Sequence, residues 1–310
     1  MVNKNSKIFL AGHNGHLGSS ILSCLKQRNY KKILVANKNK LNLLDQKKVF
    51  KFLDKHKPNY VIIAAARVGG VFANNTYRAK FIYENLQIQN NLIHGSYLAG
   101  VKNLIFFGSS CIYPAGIFRP ISEKMLLSNK LEYTNEPYAI AKIAGIKMCE
   151  NYNKQYNLNY KCLMPCNSYG PNDNYDLKTS HFFAALFKKI FLAKKKNHKH
   201  LEIWGSGKPK REIMFVEDIA DACLFFMNKK TSHALINIGT GKDMSINQFA
   251  KVIMKYFKVK LKIKNNYSMP AGVKRKLLDV SLSRKLGWKF KTSLQEGLIK
   301  THKDFIKKNY

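Results

Sequence analysis

A short apolar strand running into three spaced glycines and then a helix constrains this chain more than any other feature. Lys7-Ile-Phe-Leu-Ala11 reads as a buried strand, and Gly12-His-Asn-Gly15-His-Leu-Gly18 follows at once. Ser19 through Arg28 then carries apolar residues at helical spacing, namely Ile21, Leu22 and Leu25. Strand, glycine turn and helix in that order form the context a dinucleotide fingerprint requires. Gly12 permits the tight turn, Gly15 lets the backbone approach a pyrophosphate, and Gly18 lets helix and sheet pack closely. Exposed amides at the helix N-terminus favour the pyrophosphate charge. The plain alternative is an ordinary glycine-rich turn between a strand and a helix.

The end of the second strand bears on which dinucleotide binds. In an NAD site an acidic residue there accepts hydrogen bonds from the ribose 2′-hydroxyl. Here Ile33-Leu-Val-Ala36 runs into Asn37-Lys38-Asn39-Lys40, with no carboxylate. Lys38 or Lys40 attracts a 2′-phosphate, so NADP is the expected cofactor, with Gly12, Asn14, Gly15, Gly18 and Lys38 around it.

The rest of the chain repeats the alternation. Strands are expected near 7–11, 32–36, 60–66 and 103–108, with helices between them, one running from Asn74 to Leu98. A strand near 160–165 ends at Pro165 and Asn167, two further cofactor-site candidates. This pattern is α/β, a doubly wound parallel sheet of the Rossmann type. After Gly170-Pro171 the pattern changes to a polar loop, a helix around His181–Ala193 and a strand at Leu201–Trp204. Ser245 is placed to cap a helix over Ile246–Phe257. The expected division is a dinucleotide domain at 1–167, with 215–239 returning to it, and a smaller interleaved α/β substrate cap at 168–214 and 240–310.

Tyr138-Ala-Ile-Ala-Lys142 places a phenol and an ammonium on one face of a helix. A free phenol titrates at roughly 10, and an adjacent ammonium pulls it toward the working range. Ser109 follows the apolar strand Leu104-Ile-Phe-Phe-Gly108, where its hydroxyl can hold a substrate carbonyl against Tyr138. The three together spell a proton donor for hydride chemistry.

Composition narrows the class. Hydrophobic content of 45% is that of a globular protein, and the longest apolar runs, such as Tyr60–Ala66, are too short to span a bilayer. Without an apolar leader at the N-terminus, the cytoplasm is the expected compartment. The six cysteines form neither a C-x-x-C pair nor a zinc spacing, so no metal is expected. A formal charge of +36 raises the rival of nucleic-acid binding. Arginine is a small minority of the 54 basic residues, and the lysines spread over the whole chain beside many asparagines. That is compositional bias more than a shaped groove, so neither nucleic acid nor membrane is an expected partner.

Longer stretches carry a resemblance. Ala11-Gly-His13, Leu41–Asp45, Ala64–Gly70, Ala73–Tyr77, Gly108–Pro114, Asn135–Lys147, Trp204–Gly207 and Arg275–Asp279 resemble the GDP-L-fucose synthases, over nearly the whole chain. Those enzymes are extended short-chain dehydrogenases that act on GDP-4-keto-6-deoxy-D-mannose as 3,5-epimerase and NADPH-dependent 4-reductase. The resemblance implies proton transfer by Cys111 and His181, and a C4 oxygen held by Ser109 and Tyr138. It gives Lys142 the tasks of tuning Tyr138 and bonding the nicotinamide ribose. It places the GDP end against Lys189, Trp204 and Arg211, counts Arg275 among the substrate-binding residues, and implies a homodimer built on helices near 80–98 and 138–156.

Four positions depart from the family pattern: Asn14 and Lys189 replace arginines, Ala271 replaces an aspartate, and Ser168 replaces a leucine. They leave open a related reductase on another GDP-4-keto-6-deoxy sugar, such as a heptose, with altered or absent epimerase activity. Retention of both Cys111 and His181 argues against that reading. The complete Ser-Tyr-Lys set argues against a binding protein without catalysis.

Overall fold

The computed structural model describes residues 2–177, 179–269 and 272–309. The first half runs β1 (Lys7–Ala11), α1 (His16–Gln27), β2 (Lys32–Leu34), α2 (Gln46–His56), β3 (Tyr60–Ile63), α3 (Val71–Thr76), α4 (Arg78–Leu98), β4 (Asn103–Phe107), α5 (Glu136–Tyr156) and β5 (Asn159–Pro165). The second half continues with β6 (Asn167–Tyr169), α6 (Phe182–Lys195), β7 (His200–Trp204), β8 (Lys210–Arg211), β9 (Ile213–Phe215), α7 (Val216–Asn228) and β10 (Leu235–Ile238). It ends with β11 (Met244–Ser245), α8 (Ile246–Phe257), β12 (Lys262–Asn266), β13 (Arg275–Lys276), α9 (Ser281–Lys285) and α10 (Leu294–Asn309).

Six strands form one sheet in the order β10-β5-β4-β3-β1-β2, every neighbouring pair parallel. Parallel strands must be buried on both faces, and β1, β3 and β4 are accordingly runs of Ile, Leu, Val and Phe with almost no polar interruption. The chain leaves β1 to one side for β2 and to the other for β3. That reversal opens a crevice at the carboxyl ends of the strands. Gly12, Ala64, Ser109 and Pro165 all stand there.

A second core lies beside the sheet. Phe183 and Phe187 of α6, Phe249, Ile253 and Phe257 of α8, and Phe305 of α10 interlock there. Ser245 caps α8 as the sequence suggests, in a reciprocal box with Gln248. The two cores share the chain unevenly. Leu278, Val280 and Trp288 pack into the sheet core, whereas Tyr169 and Phe215 pack into the second.

One expected helix divides. Tyr77 leaves the helical region (φ −106°, ψ 40°), so Asn74–Leu98 is α3 followed by α4. The buried Asn74 side chain donates to the carbonyls of Gly69 and Gly70, which ties α3 to the turn after β3 instead of in line with α4. The strand after Lys32 also stops early, at Leu34 rather than Ala36.

Two buried polar side chains join the layers. Glu212, 1% exposed, accepts from the amides of Gly241 (2.7 Å) and Leu278 (2.8 Å), and its own amide donates to the Lys276 carbonyl. Asn237, fully buried on β10, donates through Nδ2 to the carbonyls of Ile121 (2.9 Å) and Asp279 (3.2 Å), while its Oδ1 accepts from the Tyr113 hydroxyl (2.6 Å). Asn237→Leu keeps the volume and strands all three partners. A loss of about 2–4 kcal/mol is expected, read as a lower urea midpoint with an unchanged m-value.

Candidate functional site

The glycine turn produces a dinucleotide cradle by leaving atoms out. A Cβ on Gly18 would lie 1.9 Å from the Gly12 carbonyl oxygen, and Gly12 itself has φ +92° with the Ala65 amide 2.6 Å from where a Cβ would go. The start of α1 is thereby pressed against β1 and β3. Gly15, the residue before α1, would place a Cβ in no more than ordinary contact with the Gly12 carbonyl oxygen (3.5 Å), and no side chain caps the helix. The first amides of α1 therefore face the crevice without an internal acceptor, which fits a pyrophosphate. Asn14 and Lys38 stand exposed on the same rim.

From this crevice one cavity of about 920 Å³ runs on beneath the second core. Gly12, Asn14, Gly15, Lys38, Ser109, Cys111, Tyr138, Lys142, Pro165, Asn167, His181, Lys189, Trp204, Arg211 and Arg275 all line it. Gly18 does not, since its part is packing.

The residues expected to carry the reaction all line this cavity. Ser109 caps a single turn at Ser110–Ile112, its Oγ accepting from the Cys111 amide, so the hydroxyl proton is left for the cavity. Cys111 packs with Ala73, Phe81 and Tyr138. Tyr138 is 9% exposed, and burial, then the neighbouring Cys111, pushes its phenol above the ordinary value. This corrects the expectation that Lys142 pulls it down. The Lys142 ammonium, 3% exposed, donates to the Phe107 carbonyl (2.8 Å) and lies 5.8 Å from the Tyr138 ring centre. Burial lowers Lys142 to about 7. The phenol thus rests protonated, in the state of a proton donor.

His181 precedes α6 and is exposed to the cavity. Burial lowers its pKa, Asp173 opposes that, and His16 and Lys276 add to it, leaving the ring neutral near pH 7. Asp173 is itself pushed up to about 6 by burial, with His181 opposing. The cap end is also partly engaged. Lys189 reaches Glu202 (3.8 Å) and stands 5.4 Å from the Trp204 ring centre. Arg211 donates to the carbonyl of Val273 (2.6 Å). The Arg275 guanidinium is held by Asp243 (2.6 Å) and by the Phe118 carbonyl. Ala271 lies outside the described residues.

Three groups here escape a reading of sequence alone. Lys276 donates to the Cys111 sulfur, Asp173 flanks His181, and His16 joins α1 to the loop that carries both. The Gly12–Gly18 and Arg275–Asp279 stretches contain His16 and Lys276 without marking a role for either. His16 Nδ1 lies 2.9 Å from the Pro171 carbonyl and must carry the proton, which leaves Nε2 a buried acceptor with no partner among the described residues.

Burial lowers His16 from 6.5 to about 4. Its folded pKa is depressed, so its contribution to stability is full above the unfolded value and is lost as pH falls from 6.5 toward 4. His16→Gln keeps a donor for Pro171 and cannot titrate. Between pH 7 and 5 the native protein is expected to lose on the order of 1–2 kcal/mol more than this variant, measured by urea unfolding at both pH values.

Comparison with known proteins agrees with this geometry. The model of the NAD dependent epimerase/dehydratase family matches residues 8–239. The GDP-L-fucose synthase of Sinorhizobium fredii is 46% identical over 97% of this chain and 95% of its own. That of Escherichia coli is 43% identical over 97% of this chain and 96% of its own. Among solved structures, a GDP-mannoheptose C4 reductase from Campylobacter jejuni with NADP bound superposes with a TM-score of 0.90, at 36% identity over 99% of this chain and 100% of that one. The chain belongs to the NAD dependent epimerase/dehydratase family and, within it, to the GDP-L-fucose synthases.

Proposed function

We propose that this protein converts GDP-4-keto-6-deoxy-D-mannose to GDP-L-fucose, by epimerisation at C3 and C5 and NADPH-dependent reduction at C4. The observation that carries this reading is that one cavity holds both a reductase set, Ser109-Tyr138-Lys142, and two further proton-transfer groups, Cys111 and His181. A C4 reductase needs only the first set. A ketone at C4 acidifies the protons on C3 and C5, and inversion there requires a base and an acid of suitable strength. Thiols and imidazoles titrate near enough to neutrality to serve.

Ser109 and Tyr138 hold the C4 oxygen and stabilise the enolate. Cys111 and His181 then exchange protons at the ring carbons. His181 delivers a proton only after gaining one, and the Asp173 carboxylate beside it favours that charged form. NADPH supplies a hydride to C4 when bound. Tyr138, resting as the neutral phenol, gives the C4 oxygen its proton, and the Lys142 charge favours the phenolate left behind. At the far end Lys189, Trp204 and Arg211 take the GDP.

Residues 1–167 with 215–239 act in this reading as the dinucleotide domain, and 168–214 with 240–310 as the substrate cap. A homodimer forms on α4 and α5, which pack side by side and expose Tyr83 and Ile140. Substrate and cofactor are drawn from the cytoplasm. NMR of the product from one incubation with the GDP-keto sugar and NADPH tests the whole reading. A reduced sugar with unchanged C3 and C5 configuration would instead make it a C4 reductase, like the Campylobacter protein.

Tyr138→Phe removes the phenolic proton and leaves Cys111 and His181. Reduction is expected to fall roughly 10²–10⁴-fold, while deuterium from solvent still enters C3 and C5; NADPH oxidation and NMR read the two separately. Lys38→Ala removes the cation proposed for the 2′-phosphate. The KM for NADPH is expected to rise about tenfold or more, with little change for NADH, in steady-state kinetics with each cofactor.

A further inference from the structure

We propose that Lys276 is a positioning residue for Cys111, its ammonium fixing the sulfur and favouring its proton-accepting form. This rests on the reading of Cys111 as a proton-transfer group. Lys276 ends β13, which pairs in parallel with β8 so that Lys276 stands opposite Arg211. Two cross-strand neighbours in register present their side chains to one face. Both of these line the cavity wall. Arg211 spends donors on the carbonyls of Lys210 and Val273. The Lys276 ammonium reaches across to the turn after β4 and donates to the Cys111 sulfur at 3.4 Å.

The surroundings of the sulfur make that contact count. Tyr138 faces it from α5 as a neutral phenol, and Ala73 and Phe81 are apolar. Arg211 faces it from β8 and interacts with it at longer range. Glu132, a carboxylate that interacts with Arg211, is tied up by Thr134 and Asn135. Cations therefore dominate around Cys111, and a cation beside a sulfur favours thiolate over thiol. The same ammonium opposes a charge on His181, across the cavity. The Lys276 ammonium thus acts on both groups, bonding the sulfur and opposing a charge on the imidazole.

The step it supports is a single proton transfer. The C–H bond at C3 or C5 breaks, its proton joins Sγ, and its electron pair passes to the C4 oxygen held by Ser109 and Tyr138. Lys276 keeps all of its protons throughout. Its charge is needed before the transfer, when the sulfur must be free of a proton.

Alkylation of Cys111 by iodoacetamide, followed peptide by peptide by mass spectrometry, measures the thiolate without substrate or cofactor. Lys276→Met is expected to slow alkylation at pH 7 about tenfold or more, to move its pH profile upward, and to slow deuterium entry at C3 and C5 in parallel. Lys276→Arg restores most of both rates, and GDP affinity by calorimetry stays within about twofold. A thermal melt verifies that the Met variant is folded; Lys276→Gln serves equally. An alkylation profile unchanged in Lys276→Met and Lys276→Gln would overturn the proposal. So would a loss of GDP affinity with deuterium exchange intact, which makes Lys276 a substrate clamp. If the native enzyme exchanges no deuterium while alkylation still depends on Lys276, the epimerase reading fails and the cation–sulfur pair stands.

Discussion

One buried carboxylate, Glu212, holds the two halves of the active cavity in register. Its oxygens take the amides of Gly241, after β10, and Leu278, after β13. Its backbone amide meets the Lys276 carbonyl, and its carbonyl receives the Asn167 side chain. The end of the central sheet, the crossing strands that carry Arg211 and Lys276, and the rim of the cofactor crevice therefore share one anchor. Gly239 lacks a Cβ where that carboxylate passes, since one placed there would lie 2.3 Å from it. A buried carboxylate is costly unless its lone pairs are used. Here backbone amides use them, and the direction of the cavity wall follows.

Burial acts on the charges of the site in one sense throughout. Lys142, His181, Asp173 and Tyr138 are all displaced toward their neutral forms, with desolvation the largest cause each time. The formal charge of +36 thus sits mainly on surface lysines, not at the reacting centre. A surface field of that sign favours polyanionic ligands. The Lys276 ammonium, held against the Cys111 sulfur, lies in the same cavity wall.

The parallel sheet, the glycine cradle and the Ser245 cap were legible in sequence because each is a local matter of a few adjacent residues. The break at Tyr77 was not, since it depends on where Asn74 spends its amide hydrogens. Nor was the state of Lys142. Four residues along a helix bring it near Tyr138, but a carbonyl from β4 captures its ammonium first. Arg275 and Lys276 are the plainest case. The motif marks both equally, and only pairing with β8 and the nearness of Asp243 decide that one closes an ion pair while its neighbour reaches the thiol.

The uneven sharing of the two cores limits what the cap can become. Leu278, Val280 and Trp288 are embedded under the sheet, and Tyr169 and Phe215 under the cap helices. Neither part of the proposed division keeps a closed apolar interior if the chain is cut at its boundary, so the two are expected to melt as one cooperative unit. The cap is therefore not a module that recombination can exchange whole. New sugar specificity on this scaffold has to come from single side chains along the cavity wall, changed one at a time without disturbing either core.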